Sequence, residues 1–143
     1  MKKFKFLLLA VAGMMISASA FADDKPIAPE QLPAAAKAFI QTHFPGKKIL
    51  YAERDYSDYE CRLDDGTELK FNRKGNWDKV DCNGPVAVPA AIVPEAIKKY
   101  VQANFPDTVI TKIDKEGWGI EIELSNDLDL KFNYQGMLIG MDD

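Results

Sequence analysis

Carboxylates are the groups in this chain with the most chemistry to offer. Glu121, Glu123, Asp127 and Asp129 crowd into one short stretch near the C-terminus. Such a group can face a basic partner, hold a cation such as Ca²⁺ weakly, or stand as a solvated charged face. Ser125-Asn126-Asp127-Leu128-Asp129 lacks the glycine and the distal glutamate of a calcium loop, so no tight metal site is expected there. His43 is the single histidine, and no nucleophile or orienting group accompanies it, which suits a polar helix end better than a catalytic base. Ser57 and Ser125 fall in predicted turns. No Ser-His-Asp set, His/Cys metal spacing or glycine-rich phosphate loop is present. The residues therefore predict a protein that is not an enzyme and needs no cofactor.

Aromatic residues are the second resource. Tyr56, Trp118 and Tyr134 fall at turns or strand ends, outside the apolar stripes, and Trp118 lies between Gly117 and Gly119. Surface Tyr and Trp are rigid, large anchors in protein interfaces, and they can equally cap the edge of a sheet. The candidate partner-binding residues are therefore Trp118, Tyr134, Tyr56, Glu121, Glu123 and Asp129. Trp77, whose counterpart is Leu138, reads as packing.

The elements that must position these groups are written twice. Shifted by sixty-one residues, the chain matches itself without a gap: Phe44-Pro45 returns as Phe105-Pro106, and Leu69-Lys70-Phe71-Asn72 as Leu130-Lys131-Phe132-Asn133. Residues 29–82 and 90–143 share 15 identities in 54 positions, where chance gives roughly three. Each copy opens with a helix behind Pro33 or Pro94, a residue whose missing N–H costs nothing at a helix start. Ala35, Ala36, Phe39, Ile40 and Phe44 recur at helical spacing, as do Ala96, Ile97, Tyr100, Val101 and Phe105. Pro45 and Pro106 stop the helices, because the residue before a proline is pushed out of the helical region.

After each helix the apolar period falls to two. Tyr59, Cys61 and Leu63 alternate with Glu60, Arg62 and Asp64; Leu69 and Phe71 alternate with Glu68, Lys70 and Asn72. Asp64-Asp65-Gly66 suits a three-residue hairpin loop. That register sets Tyr59 opposite Phe71 and Cys61 opposite Leu69 on the buried face, with Arg62 opposite Glu68 and Glu60 opposite Lys70 outside. Carried into the second copy, it sets Glu123 against Asp129, a repelling pair where the first copy has a compensated one. With strands near 48–55 and 77–81, each copy is a helix followed by four antiparallel strands. The expected fold is α+β: a tandem αββββ repeat, helices over one sheet face and charge on the other. The copies span residues 23–82 and 90–143. The short, proline-limited linker, 83–89, favours side-by-side packing into one continuous sheet.

Residues 1–22 read as a signal peptide: Lys2, Lys3 and Lys5, an apolar run over 6–16, then Ala20-Phe21-Ala22 or Ala18-Ser19-Ala20 as cleavage sites. The mature chain would start at Asp23, exported to a periplasm and not held in a membrane. It would carry 15 basic against 22 acidic residues, a net charge of −7, which argues against nucleic acid or anionic lipid as partner. Export permits a Cys61–Cys82 bridge. Strands next but one, however, hold the two about 10 Å apart, while a bridge needs Cα atoms within about 7 Å. Two outcomes stay open: a bridge made by a curl after Val80, or one buried and one partly exposed thiol.

A signal peptide followed by a doubled unit, helix ending in Phe-Pro and hairpin with Leu-Lys-Phe-Asn, with Gly-x-Trp after the first hairpin, resembles the PepSY-like, β-lactamase-inhibitor-like secreted proteins. The likeness covers the whole mature chain, and its motifs are structural. It implies a tandem αββββ fold, a periplasmic location and a binding or inhibitory role; no inhibitory loop is there to carry over. The expected function is a non-enzymatic periplasmic module, monomeric or weakly dimeric, that presents its polar, aromatic-dotted sheet face to an exported protein. The alternatives are an envelope structural or stress protein and a weak cation or ligand carrier.

Overall fold

The computed structural model describes residues 25–84 and 86–143. The predicted signal peptide and Asp23 lie outside the described residues. Pro33 and Pro94 sit in extended conformation immediately before helices α1 (Ala34–His43) and α2 (Glu95–Asn104). Each helix closes on a phenylalanine, Phe44 or Phe105, whose N–H still bonds back to Ile40 or Val101. The proline that follows cannot extend the ladder. One 3₁₀ turn precedes each helix, Pro29–Gln31 and Ala90–Ile92. These turns were not expected; they deliver Leu32, Ile92 and Val93 to the core.

Among the described residues nine strands form one antiparallel sheet in strict chain order. They are β1 (Lys25–Ile27), β2 (Ile49–Arg54), β3 (Asp58–Leu63), β4 (Glu68–Asn72), β5 (Trp77–Asp81), β6 (Ile110–Glu116), β7 (Gly119–Leu124), β8 (Asp129–Asn133) and β9 (Leu138–Asp142). Among the described residues the fold is therefore α+β, with two α-helices and a sheet larger than the four strands expected per copy. The additional strand is β1, which pairs Lys25 with Arg54 and Ile27 with Ala52 and so covers the outer edge of β2. The two halves join where β5 pairs with β6, placing Val80 beside Ile113, so the strands continue across the linker.

The register inferred from charge and hairpin length holds in both hairpins. Tyr59 pairs with Phe71, Cys61 with Leu69, Arg62 with Glu68, and Glu123 with Asp129. One face of the sheet and both helices build a single apolar cluster around Phe71, Phe132, Leu63, Leu69, Ile113, Ile122 and Leu130. Phe39 of α1 stands edge-on to Phe71 at 5.7 Å, and Tyr100 of α2 edge-on to Phe132 at 5.5 Å. Such T-shaped pairs add about 0.5–1.5 kcal/mol each beyond the area they bury. Gly119 is required by close packing rather than by a turn, since a Cβ there would lie 2.0 Å from the Phe132 carbonyl oxygen.

Candidate functional site

Cross-strand partners share a face, so the pairings draw two rows of side chains across the outer sheet surface. One row runs Glu53, Glu60, Lys70, Lys79, Asp114, Glu121, Lys131. The second runs Arg62, Glu68, Asp81, Lys112, Glu123, Asp129, Asp142. In the first half Arg62 lies 3.4 Å from Glu68 and Lys70 lies 3.4 Å from Asp58, while Glu53 opposite Glu60, Glu68 opposite Asp81 and Lys70 opposite Lys79 are like-charge pairs. In the second half the second row ends in three consecutive acids, Glu123, Asp129 and Asp142, on β7, β8 and β9.

Asp142 was missed by the sequence reading. The sixty-one-residue offset places it where Asp81 stands, and the β8–β9 register would have found it. Lys112 flanks the acids from β6, opposite Glu123, while Lys131 Nζ approaches Asp142 at 4.0 Å. Asp129 is 7% exposed, so the centre of the run is buried although it lies on the polar face. Burial, and next the Asp129 charge, hold the Glu121 carboxyl above the usual carboxylate range. Asp114, beside it in the row, is raised chiefly by burial.

The three candidate aromatics all occupy turns at one end of the strands. Trp118, 42% exposed, fills the β6–β7 turn, and Lys131 Nζ lies 5.9 Å from its ring centre. Tyr134 reaches from the β8–β9 turn and donates its hydroxyl hydrogen to the Glu116 carbonyl, tying the two turns together. Trp118, Tyr134, Lys131 and Glu121 thus share one corner. Glu123 and Asp129 sit further along the same strands, toward the β7–β8 turn. Tyr56, 80% exposed in the β2–β3 turn, lies four strands from Trp118, about 19 Å at the usual strand spacing.

Other polar groups have local roles. His43 stacks against Phe39, ring centres 4.6 Å apart, at the end of α1. Trp77 packs on the core beside Phe39 and carries Lys115 Nζ 4.2 Å above its ring. Both cysteines are buried free thiols, and burial pushes Cys61 up to about 12 and Cys82 to about 11. Of the two outcomes expected, a bridge or one buried and one partly exposed thiol, neither is found: both thiols are free and buried, because the chain after Asp81 stays against the sheet. Cys82 N–H donates to the Thr111 carbonyl, Val88 N–H donates to Ile110, and Val88 is itself buried. Among the described residues no three His, Cys, Asp or Glu side chains are grouped to hold a metal ion.

Residues 21–72 and 57–140 match the model of the family described as "Putative beta-lactamase-inhibitor-like, PepSY-like". The protein belongs to this family. It is 40% identical to a structure from Bacteroides thetaiotaomicron titled a "putative calcium-regulated periplasmic protein", over 85% of this chain and 98% of that one, with a TM-score of 0.80. Two Bacteroides vulgatus structures also superpose with a TM-score of 0.80. One, a "putative periplasmic protein from DUF2874 family", is 42% identical over 85% of this chain and 98% of that one. The other, a "putative periplasmic protein of unknown function", is 33% identical over 84% of this chain and 99% of that one. No curated protein sequence matches the chain. Among the described residues no helix is long and apolar enough to cross a membrane.

Proposed function

We propose that the protein is a non-enzymatic periplasmic binding module, delivered by a cleaved signal peptide. It presents the outer face of β6–β9 to an exported protein with a basic surface. The observation that carries this reading is the run of three acids, Glu123, Asp129 and Asp142, set opposite one another on adjacent strands β7, β8 and β9. Like charges set directly opposite one another cost stability and are not needed to form a sheet. At the turn end of the same strands Trp118 offers a half-exposed aromatic anchor. Binding would occlude the partner with a rigid sheet. We further infer that the module arose by duplication of an αββββ unit. Matched helix ends, matched edge-on ring pairs and bulges at corresponding places in β2 and β6 support that history. In such a history Arg62 opposite Glu68 in the first half corresponds to Glu123 opposite Asp129 in the second.

The test is crosslinking of tagged protein in its native periplasm, with mass spectrometry of what is captured, for the parent and for Trp118→Ala. One dominant partner is expected, lost in the variant while the melting temperature stays nearly unchanged. The Lys131 contact that the variant gives up contributes only about 0.5–1 kcal/mol at an exposed site. Equal loss of binding and stability would sink the reading, and an empty or scattered catch would favour an envelope structural or stress role. A weak cation carrier is the second reading, favoured by the opposed Glu123–Asp129 pair and by likeness to the structure titled calcium-regulated. Repeating the capture with Ca²⁺ and with a chelator separates the two.

A further inference from the structure

A hollow of about 340 Å³ opens at the turn end of the first half, lined by residues 54–59 of the β2–β3 turn and by Arg73. Its charged groups divide into two kinds. The acids are committed: Asp55 Oδ1 accepts the N–H groups of Ser57 at 3.2 Å and Asp58 at 3.1 Å, and Asp58 Oδ2 lies 3.4 Å from Lys70 Nζ. The bases are spare: Arg54 and Arg73 are exposed, and neither side chain has a hydrogen bond or ion pair among the described residues. Lys25 of β1 sits opposite Arg54 and adds a third positive charge. In a chain rich in acids, two guanidiniums without a side-chain partner among the described residues around one hollow are not explained by folding.

The second half supplies an internal control. Sixty-one residues after Arg54 and Arg73 stand Lys115 and Tyr134. Lys115 is engaged over the Trp77 ring, and Tyr134 is engaged by the Glu116 carbonyl. The same two places are thus satisfied internally in one half and open in the other. A guanidinium is a planar fork of donors that matches a carboxylate with two parallel hydrogen bonds. The exposed Tyr56 ring at the rim offers an apolar flank, and the volume is that of a small-ligand pocket, commonly about 300–1,000 Å³.

We propose that this hollow is a carboxylate-binding site, separate from the β6–β9 face. Arg54 and Arg73 would bond the carboxylate oxygens of a small organic acid or of an acidic peptide side chain, and Tyr56 would lie against its carbon frame. The test is an NMR titration of ¹⁵N-labelled protein at fixed ionic strength with three probes: citrate, an end-blocked Ala-Glu-Ala peptide and inorganic phosphate. A carboxylate probe is expected to cause saturable shifts at the Ser57, Asp58 and Arg73 amides and the two arginine side-chain signals. Whichever of citrate and peptide saturates first identifies the source of the carboxylate. Arg54→Gln and Arg73→Gln should each weaken that binding about tenfold or more, as loss of a charge-assisted pair does, with the rest of the spectrum unchanged. The exposed arginines give up no internal contact, so folding should survive both changes. The proposal fails if neither carboxylate saturates, if the Arg73→Gln variant binds as the parent does, or if phosphate binds more tightly than both.

Discussion

A carboxylate on the outer face of this sheet answers to burial first and to its neighbours in the row second. Glu60 is raised by burial and then by Glu53 across the β2–β3 pair; Asp114 and Glu121 are raised by burial too. Asp65 moves the other way, because the Thr67 hydrogen bonds and Lys47 outweigh a burial effect of opposite sign. A raised acid binds its proton more readily in the folded protein than in the unfolded chain. Between neutral pH and the ordinary carboxylate range the folded state therefore holds more protons, and the free energy of unfolding grows as pH falls. The expected result is a melting temperature higher at about pH 5.5 than at about pH 7.5, with a smaller rise in Asp114→Asn. At lower pH Asp65 and other favourably placed acids protonate, and the trend reverses. A melting temperature that falls steadily from pH 7.5 to 5.5 would contradict the assignment. At this scale much was legible: a period of two and a three-residue loop placed Arg62 against Glu68 and Glu123 against Asp129. The burial of Asp129 was not, because it depends on how β9 packs beside the row, while Asp142 could have been read from the offset that matches it to Asp81.

Among the elements, the two hairpins that carry the charged rows differ in the residue that turns them. Gly66 holds a left-handed backbone with φ of 92° in the first, and Asp127 takes its place with φ of 71° in the second. Both donate their N–H to the residue that opens the loop, Leu63 or Leu124. An L side chain pays roughly 1 kcal/mol in that region, and aspartate tolerates it better than most. Asp127→Gly should accordingly raise stability by about 0.5–1 kcal/mol in urea denaturation, with the Glu123–Asp129 register retained. A loss of stability would mean that the aspartate side chain contributes more to the turn than its backbone costs. The helices were legible because their apolar stripes and flanking prolines are local signals. Strand β1 was not: three residues, Lys25-Pro26-Ile27, carry no period, and what makes them a strand is the exposed edge of β2. The pairing is a tertiary event, as is the turn of chain that buries Cys82 and Val88 beside β6.

At the scale of the whole molecule, the decisive joint is the β5–β6 pair. Lys79 meets Asp114, Val80 meets Ile113 and Asp81 meets Lys112, so charge complementarity flanks a fully buried apolar contact. The same apolar cluster runs through both halves. Two copies of a small unit, each short of core on its own, gain by sharing one. A short linker could have joined two independent beads, but the ladder and the common core predict a single cooperative unit. The two tryptophans report on it separately, since Trp77 lies in the first half and Trp118 in the second. Trp118→Phe leaves the first reporter, and Trp77→Phe leaves the second. In urea the two reporters should show coincident transitions. Ile113→Ala, which empties a fully buried site at the joint, should cost about 2–5 kcal/mol and move both transitions together. If that substitution shifts only the Trp118 signal and leaves the Trp77 signal in place, the halves unfold independently. The continuous sheet would then be a contact between two domains, and the rigidity that the binding face requires would have to come from the second half alone.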